Sequence, residues 1–170
     1  MKQIVKLFIV GFFLSFWVQS NAQTNATVIR VVDGDTYQLF KNKRVFTVRL
    51  ANVDAPETKQ SFGEAAKDSV SKLILGKSVV VDSLKLDRYN RVIATIEIKG
   101  MALDSIMISN GWAWHYAEYS YKPELAAMQE MAISKHLGLW KCGANKVCPP
   151  HIYRSLNAKN KAKYCKGCIN

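Results

Sequence analysis

Four carboxylates and an arginine fall within residues 33–57: Asp33 and Asp35 in Asp33-Gly34-Asp35-Thr36, then Arg49, then Asp54 and Glu57 in Asp54-Ala55-Pro56-Glu57. Aspartate and glutamate are disfavoured in strands and resist burial unless paired or bound to a cation. Carboxylates at both ends of a strand-like run therefore suit a hard divalent cation, which takes oxygen ligands. An arginine between them offers a planar fork of donors that matches phosphate. Taken singly, Asp-Gly and Asp-x-Pro are also ordinary turn sequences.

The elements that must position these groups follow from patterning. Residues 27–32 and 36–40 are β-branched or aromatic and are broken by Asp33-Gly34-Asp35, which reads as two strands around a turn. A Lys41-Asn42-Lys43-Arg44 turn leads to a third strand over 45–51. Ser61 with Glu64 forms a capping-box signature, and Ala66, Val70, Leu73 and Ile74 recur at helical spacing up to Gly76, which predicts a helix over 62–75. Residues 78–85 and 91–98 make a second hairpin around Leu86-Asp87-Arg88-Tyr89-Asn90. Residues 101–110 read as a short helix stopped by Gly111, and 112–116 as a brief extended piece. Pro123 opens a third helix that turns Leu125, Met128 and Ala132 inward and ends at Gly138. The sum is an α+β domain: a five-stranded barrel with about three helices and a short cysteine-containing C-terminal extension.

Lys2 and Lys6 precede an apolar run over 7–18, and Ser20-Asn21-Ala22 offers small residues for cleavage, so residues 1–22 read as a secretory signal peptide. An uncleaved anchor is the alternative. The chain has 170 residues and a net charge of +11, but the charge is uneven. Residues 141–170 hold seven of the 24 Lys and Arg and none of the 13 Asp and Glu. A basic surface favours polyanions, nucleic acid and anionic lipid alike.

Taken in order, Asp33-Gly34-Asp35-Thr36, Arg49-Leu50, Val53-Asp54-Ala55-Pro56-Glu57, Asp87-Arg88-Tyr89-Asn90-Arg91 and Tyr119-Ser120-Tyr121-Lys122-Pro123 resemble the staphylococcal nuclease (thermonuclease) family over about residues 27–140. The resemblance implies an OB-fold barrel and calcium-dependent hydrolysis of DNA and RNA, with single strands favoured and 3′-phosphates left. It implies that Asp35 and Asp54 are metal ligands together with the backbone carbonyl of Ala55. Asp33 is either a supporting acid behind the metal or a turn cap.

Arg49 and Arg91 match phosphate-contacting arginines, with structural pairing to Glu57 or Asp87 as the alternative. Glu57 matches the residue that activates or positions the attacking water. Arg88, Tyr89, Tyr119 and Tyr121 match positions that hold the nucleotide; for Tyr121, packing against the barrel is the alternative. The chain departs from the family pattern in a shortened loop at Thr58-Lys59-Gln60-Ser61, in Asn90 where glycine is usual, and in Ala55 where threonine is frequent.

Cys142, Cys148, Cys165 and Cys168 all lie beyond the resemblance. Four cysteines in an exported chain suggest two disulfides, while the Cys165-Lys166-Gly167-Cys168 spacing also suits half of a zinc site. His151 reads as a surface residue. Domain limits follow: 1–22 signal, 23–141 nuclease-like domain, 142–170 basic four-cysteine tail, which is either a nucleic-acid grip or a solvated extension. The expectation is a secreted or periplasmic monomer that hydrolyses nucleic acid. The alternatives are a non-catalytic nucleic-acid binder and a surface module for anionic polymers, each on the same fold.

Overall fold

The structure, a computed structural model, describes residues 23–167; the expected leader at 1–22 and Cys168 lie outside the described residues. Strand β1 (Thr24–Val31) pairs antiparallel with β2 (Thr36–Lys41), and β2 with β3 (Arg44–Leu50). Asn42 and Lys43 take φ of 49° and 61°, the twist that a two-residue hairpin needs. After β4 (Val53–Asp54) and helix α1 (Gly63–Ile74), β5 (Ser78–Leu86) pairs with β1, and β6 (Val92–Ile98) pairs antiparallel with β5. Strand β6 also runs parallel to β3, with Arg49 opposite Ile93, and this contact closes a five-stranded barrel. Closure removes exposed sheet edges and leaves the connecting loops to form a rim.

Strand periodicity sets the core. Leu39 is fully buried and its neighbour Phe40 is exposed; Val28, Val48, Leu50, Val81 and Ile96 complete the inward face. Each such side chain contributes about 1.5–3 kcal/mol on burial. Next come β7 (Met101–Ala102), α2 (Leu103–Ser109), β8 (Trp114–His115) and α3 (Pro123–Ser134). Met107, Ile108 and Leu125 cover one end of the barrel. Strand β8 pairs with β4 and sets Trp114 opposite Asp54.

Three boundaries differ from expectation. Helix α1 is not closed by a capping box: Phe62 is its N-cap, with φ 67° and no side-chain cap bond, and Ser61, one residue before it, lies against Gly167 of the tail. The helix expected from residue 101 starts at Leu103, since Met101 and Ala102 extend the sheet by pairing with β6. Helix α3 stops at Ser134 rather than at Gly138.

The tail is ordered into two short helices, α4 (Pro150–Ser155) and α5 (Ala158–Tyr164), which raise the helix count to five among the described residues. A disulfide joins Cys148 to Cys165, and Cys142 is likewise disulfide-bonded. Sulfurs paired in disulfides are not thiolates, so the described cysteines offer zinc no ligand. Among the described residues no helix is long and apolar enough to cross a membrane.

Candidate active site

Two glycines allow the acidic segments to meet. A Cβ on Gly34 would lie 2.5 Å from Cβ of Ala55, so only a bare backbone lets the β1–β2 turn rest against residues 54–55. A Cβ on Gly63 would lie 1.9 Å from the carbonyl oxygen of Glu57, so the start of α1 abuts that residue directly.

Within this frame Asp33, Asp35, Arg49, Asp54 and Ala55 form one network. Oδ1 of Asp33 accepts from the amide of Asp35 at 3.0 Å, the arrangement of a turn cap. Oδ2 of Asp35 accepts from the amide of Ala55 at 2.7 Å, and its Oδ1 lies 3.1 Å from Nε of Arg49. Arg49 reaches Oδ1 of Asp54 through Nη2 at 3.2 Å, and Nη1 donates to the carbonyls of Leu50 (2.7 Å) and Val53 (2.9 Å). Two buried carboxylates thus converge on one guanidinium. Burial pushes the Asp35 carboxyl up to about 7, outweighing the pull of Arg49. Arg49 pairs with neither Glu57 nor Asp87.

Sequence reasoning missed the partner of Glu57, which comes from the tail. Nη1 of Arg154 lies 2.8 Å from Oε1 of Glu57 and 3.2 Å from Oδ1 of Asp54; Nη2 lies 3.2 Å from Oδ2 of Asp54. Burial disfavours the charge on Arg154, yet the hydrogen bonds to Glu57 and Asp54 prevail and hold its pKa above the usual arginine value. Gln60 was missed as well. Its Oε1 accepts from the Glu57 amide at 3.1 Å while its Nε2 donates to the carbonyl of Cys148, so one buried side chain fixes both Glu57 and the tail. The signal available was a polar residue in the loop after Pro56-Glu57; nothing in the sequence pointed to Arg154.

A second group forms at the β5–β6 turn. Oδ1 of Asp87 accepts from the amides of Tyr89 and Arg91, and Nε and Nη2 of Arg91 each lie 2.8 Å from Oδ2 of Asp87. Burial opposes the charge on Asp87, but the bonds from Arg91 and Tyr89 lower its pKa overall. Arg91 therefore adopts the pairing with Asp87 that was the alternative for it. Asn90 does take a left-handed φ of 60°. Arg88 and Arg91 both lie over the exposed ring of Tyr89, at 4.9 and 5.4 Å. Tyr119 packs against Tyr116 with ring centroids 4.7 Å apart and planes tilted by 56°. Tyr121 is 93% exposed, which excludes its packing against the barrel. His151 is exposed on α4.

The donors are oxygen only, and Asp35 and Asp54 are both buried, which suits a hard cation. Among the described residues no three His, Cys, Asp or Glu side chains cluster as a complete metal cage.

The family model for staphylococcal nuclease homologues matches residues 47–142. The chain belongs to this family. An Escherichia coli protein named as an uncharacterized endonuclease is 36% identical over 143 residues, which span 84% of this chain and 92% of that one. A Haemophilus influenzae protein of the same description is 34% identical over 79% and 78% of the two chains. A Shigella flexneri micrococcal nuclease is 36% identical over 70% of this chain and 75% of its own. The closed barrel and its helices are the family's OB-fold.

Proposed function

We propose that the protein is an exported, calcium-dependent nuclease that hydrolyses phosphodiester bonds of DNA and RNA, favours single strands and leaves 3′-phosphates. The convergence of buried Asp35 and Asp54 on Arg49, on a chain of this family, carries the reading. Asp35, Asp54 and the carbonyl of Ala55 would hold calcium, with Asp33 ordering the turn that presents Asp35. Calcium, when bound, supplies positive charge beside the phosphate and the attacking water.

Glu57 holds and orients that water and accepts its proton. Water adds to phosphorus as the bond to the 5′ oxygen breaks; the departing oxygen takes a proton from solvent water, which yields a 3′-phosphate and a 5′-hydroxyl. Negative charge grows on the phosphate oxygens, where Arg91 and the remaining N–H of Arg49 stabilise it. The two contacts of Arg91 to Asp87 use Nε and Nη2, so Nη1 remains for a phosphate. Arg91 acts by its fixed charge and its donor geometry. Tyr89, Tyr119 and Tyr121, exposed on the rim, offer stacking faces that accept any base, and Arg88 stands beside the first. The disulfide of the tail fits an oxidising compartment.

The test is incubation of residues 23–170 with single-stranded DNA, in calcium or in chelator. Shortening in calcium alone is expected; an intact strand in both would leave the binder alternatives standing and end the enzyme reading.

A further inference from the structure

Beside Glu57 the tail closes a cleft of about 330 Å³ lined by Glu57, Thr58, Lys59, Tyr153, Arg154 and Lys161. That volume lies at the lower end of the range of small-ligand sites. Lys59 belongs to the shortened loop, and the other two cations belong to α4 and α5. Tyr153 joins the two walls. Its Oη donates to the carbonyl of Lys59 at 3.0 Å, and its ring carries Nζ of Lys161 at 4.4 Å, which fixes the ammonium at the wall.

Arg154 commits three of its five N–H donors to Asp54 and Glu57, leaving Nε and one hydrogen of Nη2. Among the described residues that line the cleft, Glu57 is the one acid against three cations, so the cleft presents net positive charge. A guanidinium flanked by two ammonium groups suits a phosphate. The cleft shares Glu57 with the reacting centre, which puts a phosphate bound here beside that centre.

We propose that this cleft is a subsite for the phosphodiester adjoining the scissile bond of a bound single strand, held by Lys59, Arg154 and Lys161. The identity of the strand rests on the nuclease reading; the charge and geometry of the cleft do not. The tail then supplies substrate grip where the loop after Glu57 is short.

The experiment measures anisotropy of a fluorescein-labelled single-stranded DNA with residues 23–170 in chelator, for the wild type, for Lys59→Gln/Lys161→Gln, and for Lys41→Gln/Lys43→Gln at the opposite end of β2. The cleft variant should bind about tenfold more weakly at low salt. Its dependence of log Kd on log salt should flatten by about 0.7, the share of one neutralised phosphate on a single strand. The control pair should shift Kd less than about twofold. Wild-type affinity in the cleft variant, or equal weakening in both pairs, overturns the subsite. Displacement of the strand by an equal concentration of inorganic phosphate would make it a free-phosphate site and also overturns it. Calcium digests of the wild type run in parallel separate the two readings: no cleavage with lysine-dependent binding ends the nuclease reading and leaves the cleft a strand-phosphate site with no scissile neighbour, whereas cleavage with unchanged Kd keeps the nuclease reading and overturns the subsite.

Discussion

Arg49 and Arg91 match the same kind of position in sequence, yet the structure uses them differently. Arg49 donates three hydrogen bonds, to Asp54 and two carbonyls, pairs through Nε with Asp35, and its side chain is only 14% exposed. Lysine at this position could keep a charge but not this set of directed contacts. Arg49→Lys is therefore expected to cost about 3 kcal/mol of stability, the scale of a broken buried pair, as well as activity. Arg91 pairs on a more open surface with Asp87, where an ion pair contributes little to stability. Arg91→Gly should leave the melting temperature nearly unchanged and lower kcat on the order of a hundredfold, the effect of a lost transition-state contact. Thermal melts and single-strand hydrolysis on the two variants separate a clamp from a catalyst, and normal kcat in Arg91→Gly would remove it from the mechanism. The residue types were legible in sequence because few chemistries need those acids and arginines together. Their division of labour was not, since it depends on which carboxylates burial brings within reach.

At the scale of elements, the barrel was legible because period-2 burial along β1 to β3 and β5 to β6 follows directly from side-chain alternation. The contact of the tail with the loop over 58–61 was not. It joins residues about a hundred positions apart, and local patterning is blind to such pairs. The capping-box expectation failed because the helix starts one residue later, with Phe62 as N-cap in the left-handed region. Gln60 is the hinge of this contact. Gln60→Ala would orphan the amide of Glu57 and the carbonyl of Cys148, each at a cost of about 1–3 kcal/mol if water does not replace the amide. Hydrolysis should slow through misplacement of Glu57, and proteases should cut residues 149–164 faster than in the wild type. Unaltered proteolysis would show that the disulfide alone holds the tail.

For the whole molecule, the balance of charge at the acidic cluster couples stability to pH and to cation. Burial raises the Asp35 carboxyl from 3.8 to about 7 on folding, so between those values the folded chain holds a proton that the unfolded chain has released. Stability rises with pH only where the unfolded state binds more protons, and here the reverse holds. The contribution of Asp35 is therefore fully present below about pH 4 and is lost as pH rises toward 7, by up to about 1.4 kcal/mol per pH unit. Calcium should oppose this loss because it binds the ionised carboxylates of the native state alone. At a concentration of about 100 times Kd it contributes about 2.7 kcal/mol, or roughly 5–10 °C in Tm for a chain of this size. Melting curves at pH 5 and pH 7, in chelator and in calcium, should show a larger calcium shift at pH 7, where no proton competes for Asp35. A calcium shift that is equal at both pH values would detach Asp35 from the metal site; one that vanishes in Asp54→Asn while the fold persists would attach Asp54 to it.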